Sequence, residues 1–267
     1  MLSKLFKCLQ QTSFIGLILA IIVVESAGAQ IKVQNFSNVL FKSSSSESGR
    51  VSESNGTIVI LPPAYDEKET YPALVLLPST GGRPIDYFRG PFAERYQSRN
   101  DNPYILILPD IQSNESAYSS GEAWLATIEQ YEKLVGSNLD FLIPKYNIDS
   151  SRIVIGGYSL GGDLSWALSL RNPSVFRGVI AVGSQSNIRN DLNMPKLAVN
   201  DSRFFMIMGE EDWRLQRMRL AVDELARYNI THRFEIIPNA DHYTIFNQYP
   251  VGEIFTEAID FILFDEM

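Results

Sequence analysis

A layered α/β domain, with a mostly parallel central sheet and helices on both faces, is the fold class that this sequence predicts. Three observations carry it. Short runs of residues are almost continuously apolar and stop at glycine or proline. Between them lie longer segments whose apolar residues recur at helical spacing, and the connections that join the two kinds are short. A strand exposed on one face alternates polar and apolar residues, so unbroken apolar runs point to strands covered on both faces, as in a parallel sheet.

The elements follow in chain order. Thr57 to Leu61 reads as a strand halted by Pro62-Pro63. Ala73 to Leu77, Tyr104 to Leu108 and Arg152 to Gly157 are apolar runs closed by turn residues. Gly178 to Gly183, Arg203 to Gly209 and His232 to Pro238 continue the series. Among the helical segments, Trp124, Ile128, Tyr131, Leu134 and Val135 share one face, with Leu139, Phe141, Leu142 and Ile143 extending it. Leu160 to Leu170 is short and rich in small residues, as suits a helix pressed on a sheet. Leu215 to Tyr228 and Glu253 to Leu263 are amphipathic. No composition break after residue 50 asks for a second domain and no repeat is visible, so residues 51–267 are expected to form a single domain.

Composition narrows the chemistry. The chain has 267 residues, with 23 basic and 31 acidic side chains and a net charge of -8. That balance, without a basic stripe, argues against a nucleic-acid surface. A single cysteine, Cys8, excludes an intrachain disulfide scaffold and any thiolate-held zinc or iron–sulfur site. The two histidines, His232 and His242, are too few for a histidine-rich metal site, so no metal and no cofactor are expected.

The first residues read as a targeting segment. Lys4 and Lys7 precede the apolar run Phe14 to Val24, and Ala27-Gly28-Ala29 supplies a small-residue cleavage site. The run is short of the about 20 apolar residues a membrane span needs. Export with cleavage near Ala29, to the periplasm or beyond, is expected, and it would remove Cys8 as well. Residues 30–50, with the polar SSSSESGR stretch, read as a flexible lead-in or hairpin. Nothing after residue 30 is long and apolar enough to cross a bilayer.

The chemistry-bearing motif is Gly157-Tyr158-Ser159-Leu160-Gly161, between an apolar run and a helical segment. A serine there sits on a tight, strained turn with its hydroxyl above the sheet edge, and glycines two before and two after keep the turn free of collisions. The helix start behind it aims N–H groups at developing negative charge. The alternative is a packing turn whose serine merely caps the helix.

A serine nucleophile needs a base, and the base needs an orienting carboxylate. His242, in the polar loop after the last apolar run, is favoured over His232 at a strand start. For the carboxylate, Asp212 in MIMGEEDWR follows a buried strand and precedes a helix; Glu211, Asp191 and Asp241 are reserves, and a helix cap is the competing role for Asp212. The oxyanion amides are expected from Leu160 and from Thr80 in LPSTGGRP, with Ser79 or Gly81 as alternatives. Tyr158, Trp213 and Tyr243 flank these positions and are candidates for a substrate pocket. The segments 111–124 and 184–196 are candidate pocket walls.

These residues resemble the α/β-hydrolase superfamily, and within it the small carboxylesterase branch of esterase-D-like, feruloyl-esterase-like, polyester-depolymerase-like and phospholipase/carboxylesterase proteins. The likeness runs through TIVILPPAYDEKETYPALVLLPSTGG, GYSLGG, MIMGEEDWR and IIPNADHYTIF, over about residues 55 to 264. It implies the α/β-hydrolase fold and ester hydrolysis through an acyl-enzyme, on a small-molecule or polymer-borne ester. One departure is clear: relatives usually carry His-Gly where Pro78-Ser79-Thr80 stands here. A peptidase or amidase with the same triad is a rival reading, and a non-catalytic binding protein on the same fold is another.

Overall fold

Seven of the eight strands among the described residues coincide with the apolar runs read from the sequence. The structure, a computed structural model, describes residues 50–53, 55–111, 113, 115–186 and 193–265. The expected signal peptide, residues 30–49 of the lead-in and the reserve carboxylate Asp191 lie outside the described residues.

The described residues begin with β1 (Arg50–Ser52), β2 (Ile58–Ile60) and β3 (Tyr71–Leu77), then α1 (Pro91–Ser98), β4 (Ile105–Leu108) and α2 (Gly121–Lys145). They continue with β5 (Ile148–Tyr158), α3 (Leu160–Arg171), β6 (Gly178–Val182), α4 (Met194–Val199) and β7 (Arg203–Gly209). They close with α5 (Leu215–Arg227), β8 (His232–Ile237), α6 (Ile245–Gln248) and α7 (Val251–Leu263). Arg50 belongs to β1, which pairs antiparallel with β2, so the end of the lead-in is a hairpin strand. The helices α1, α4 and α6 carry no long apolar period and were not anticipated; the first two open on prolines, Pro91 and Pro195, at their first turn.

The strand order is β1-β2-β4-β3-β5-β6-β7-β8. From β4 to β8 every pairing is parallel, and β2 joins β4 antiparallel. Successive residues of a strand point to opposite faces, and both faces are covered. Ala73, Val75, Leu77, Ile153, Ile155 and Val179 pack with the apolar sides of α2, α3 and α5. Leu74, Leu76, Val154, Ile180, Phe205 and Ile207 face the other way and pack with Phe92 and Tyr96 of α1 and Ile254, Phe255, Ala258 and Ile262 of α7. Burial on both faces is why the runs lack alternation.

The parallel direction brings the carboxyl ends of β3, β5, β6, β7 and β8 to one edge. The chain steps from β3 outward to β4 and then back across to β5, so the order reverses at β3. The crevice at such a reversal is where open α/β sheets place their ligand sites.

Candidate active site

Ser159 stands at that reversal, between β5 and α3. Its backbone adopts φ 56° and ψ -117°, and its side chain makes no helix-capping bond, so the capping role is absent. A positive φ is costly for a residue with a side chain, and surrounding structure must hold it. Ser159 N donates to the Val182 carbonyl of β6 at 2.8 Å. The two glycines of the motif are required by space. A Cβ on Gly157 would lie 2.7 Å from the Leu77 carbonyl oxygen, and one on Gly161 only 2.3 Å from the same atom. The turn is thereby pressed against the end of β3.

His242 lies between β8 and α6 and bridges two groups. Its Nε2 is 3.0 Å from Ser159 Oγ and its Nδ1 is 2.9 Å from Asp212 Oδ2. Asp212 follows β7 and is fully buried at its side chain. Its second oxygen, Oδ1, accepts from Arg214 N at 2.9 Å. One carboxylate thus orients the histidine and turns the backbone into α5, while the cap position of α5 belongs to Arg214. Arg214 Nε lies 3.3 Å from Oδ1 without hydrogen-bond alignment, so its pull is that of a charge. Burial pushes the Asp212 carboxyl up, but the His242 bond, the Arg214 N–H and the Arg214 charge outweigh it and hold it below the ordinary carboxylate value.

The other candidates are placed elsewhere. His232 lies at the amino end of β8, away from the carboxyl edge, with Nδ1 2.8 Å from the Ile230 carbonyl. Glu211 is exposed. Asp241 closes a local turn by accepting from Tyr243 N and Thr244 N at 2.9 Å.

Around the serine, the amide of Leu160 opens α3, where the first N–H groups have no partner within the helix. Across from it runs the loop after β3. There Gly81 N donates to Ser113 Oγ at 2.5 Å and Gly82 N donates to the Ser79 carbonyl at 3.0 Å. Gly81 N is thereby committed elsewhere and Ser79 N donates to the Tyr87 hydroxyl, which leaves Thr80 as the remaining amide of the three expected from that loop. Tyr87, which sequence reasoning missed, is buried beneath it. Its hydroxyl contacts Ser79 and accepts from Tyr158 N at 3.3 Å, and burial pushes its pKa up to about 12. A neutral phenol therefore ties the loop after β3 to the serine turn.

Of the three aromatic pocket candidates, Tyr158 is engaged with the histidine. Its ring stacks on His242 at 4.8 Å and its hydroxyl donates to the His242 carbonyl at 2.5 Å. Trp213 is 69% exposed, with the Arg214 and Arg217 guanidiniums over its ring. Tyr243 is 82% exposed and meets His242 edge-on at 5.1 Å. Of these two, only Tyr243 has a ring contact with the histidine. Arg214 was also missed: nothing in its local sequence separates it from any arginine at a helix start. No cluster of three or more metal-ligating side chains occurs among the described residues.

A family profile described as phospholipase/carboxylesterase matches residues 109–248. No curated protein matches the sequence. Among solved structures, the S-formylglutathione hydrolase of Staphylococcus aureus is 18% identical, with a TM-score of 0.56 over 79% of this chain and 94% of that one. The feruloyl esterase module of Clostridium thermocellum is 15% identical, with a TM-score of 0.55 over 77% and 84%. A ferulic acid esterase of Anaeromyces mucronatus, solved with ferulic acid, is 17% identical, with a TM-score of 0.55 over 76% and 83%. Likeness at such identities speaks for the α/β-hydrolase fold.

Proposed function

Because the chain belongs to the phospholipase/carboxylesterase family, we propose that it is a serine carboxylic-ester hydrolase working through an acyl-enzyme on a small or medium ester. The observation that carries this reading is the His242 ring, within hydrogen-bond distance of both Ser159 Oγ and Asp212 Oδ2. Neutral His242 takes the Ser159 proton as Oγ attacks the ester carbonyl, and Asp212 holds the imidazole by Nδ1 and stabilises the charge that forms. The Leu160 amide and the Thr80 amide receive the oxyanion. His242 then gives its proton to the leaving alkoxide, and the second half-reaction repeats the sequence with water.

No cofactor enters this scheme. The first 29 residues, with their basic start, apolar run and small-residue site, support removal on export and a periplasmic or secreted enzyme of one domain. Among the described residues no helix is long and apolar enough to cross a membrane.

The test is labelling with a serine-reactive fluorophosphonate beside hydrolysis of p-nitrophenyl esters and the matching anilides. Wild type is expected to label and to prefer ester over amide. Ser159→Ala is expected to lose labelling and about 10⁵-fold or more in kcat. Labelling that persists in Ser159→Ala overturns the nucleophile assignment; a preference for the anilide turns the reading to an amidase.

A further inference from the structure

Asp163 lies one turn of α3 beyond the serine and takes no part in the proposed chemistry, yet it is 1% exposed. A buried carboxylate needs partners, and those of Asp163 come from two separate segments. Its Oδ1 accepts from Ser184 Oγ at 2.7 Å, Gln185 N at 2.5 Å and Ser186 N at 3.3 Å, all in the loop after β6. Its Oδ2 accepts from the hydroxyl of Tyr118, in the segment before α2. Those two segments, the candidate pocket walls of the sequence, leave the carboxyl edge of the sheet after β4 and after β6, on either side of β3 and β5.

Three further observations show that the loop after β6 is strained at Ser186 and lies close to the reacting groups. Gly183 and Ser186 both have positive φ, 56° and 45°, and the latter is costly for a serine. Arg214 Nη1 donates to the Gly183 carbonyl at 3.1 Å. A Cβ on Gly183 would meet the His242 ring at 3.1 Å. The loop is therefore pinned at one end by the arginine beside Asp212 and at the other by Asp163. On the opposite side, Tyr118 stacks on Trp124 at 5.2 Å and is 42% exposed, so Asp163 sets where an aromatic face stands.

We infer that Asp163 is a positioning residue for ester selectivity, tying the Tyr118 and Ser184–Ser186 walls to the helix of the serine so that they meet the substrate at a set distance. The inference rests on the esterase reading of the same site. Asp163 would then act on how well a longer ester is held, with little effect on bond making at the carbonyl of a short one. Asparagine can replace it in part, because its Oδ1 accepts from the same loop donors and its amide can donate to the Tyr118 oxygen.

The experiment measures kcat and KM for two p-nitrophenyl and alkyl ester series, graded in acyl and in alcohol length, with wild type, Asp163→Ala, Asp163→Asn and Tyr118→Phe. In one series, Tyr118→Phe and Asp163→Ala are expected to shift the long-to-short ratio of kcat/KM by about tenfold. The shift is expected in KM, with kcat on p-nitrophenyl acetate little changed and with the asparagine variant close to wild type. Tyr118→Phe decides the matter alone if Asp163→Ala does not fold. Ratios unchanged in both series, an equal loss of kcat on every ester, or an asparagine variant no better than alanine overturns the inference. A wild type that labels with fluorophosphonate but shows no such shift sinks this inference alone. A wild type that neither labels nor hydrolyses any ester sinks the esterase reading and this inference with it.

Discussion

Replacing Gly161 with alanine perturbs the site while leaving Ser159, His242 and Asp212 untouched. The added Cβ would stand 2.3 Å from the Leu77 oxygen, 2.9 Å from the Leu77 carbonyl carbon and 3.0 Å from the Pro78 oxygen. A carbon–oxygen contact is comfortable at about 3.3 Å, so about 1 Å of separation must be found. No flexible side chain can yield it, since the atoms met are the backbone ending β3 and opening the loop toward Thr80. Either that loop or the first turn of α3 must move, and either movement separates the Leu160 and Thr80 amides. A misplacement of this size costs about 100-fold in rate, and the overpacking costs about 1–3 kcal/mol of stability. Gly162→Ala is the graded control. Its nearest neighbours, the Gly157 and Val182 oxygens and Ser184 Cβ, all lie at 3.1 Å, so tenths of an ångström suffice and the loss is expected to stay within about threefold. The assay is kcat/KM on p-nitrophenyl acetate beside a thermal melt. A folded Gly161→Ala enzyme at wild-type rate, or a Gly162→Ala variant that is the worse of the two, refutes the reasoning.

Three more outcomes are expected. Asp212→Asn keeps the shape but presents the wrong groups to His242 Nδ1 and should lower kcat by about 10⁴-fold, read in steady-state kinetics. Tyr158→Phe removes the hydroxyl bond to the His242 carbonyl and keeps the ring stack; a loss of about 1 kcal/mol, or several-fold in kcat with KM unchanged, is expected, and a change in KM alone would speak against a positioning role. Arg214→Met leaves buried Asp212 without its nearby charge and should destabilise by about 3–5 kcal/mol. Because the Asp212 pKa is depressed in the fold, its stabilisation is fully present above the unfolded value of 3.8 and is lost as pH falls through the folded one. Losing the Arg214 charge raises the folded pKa, so urea midpoints of the variant should start to fall at a higher pH than those of wild type.

Local information was enough for much of this protein. Unbroken apolar runs such as Arg203 to Gly209 and Gly178 to Val182 identify strands covered on both faces, because water on either face would require polar residues there. The Gly-x-Ser-x-Gly turn is legible for a similar reason: only glycine fits where Gly157 and Gly161 meet the β3 backbone. The short helices α1, α4 and α6 were not legible, since their few residues depend on neighbours rather than on their own periodicity.

What the sequence by itself determined, then, is the alternation of buried strands and helices and the strained turn that exposes Ser159, for both follow from residues close in the chain. Only the tertiary structure decided which distant groups share that edge. Asp212 and His242 meet because β7 and β8 lie side by side in parallel, which sets their loops next to each other. Tyr87, Asp163 and Arg214 declare themselves only in three dimensions. A buried phenol, carboxylate or guanidinium takes its meaning from the partners that burial forces upon it, and those partners stand far away in the sequence.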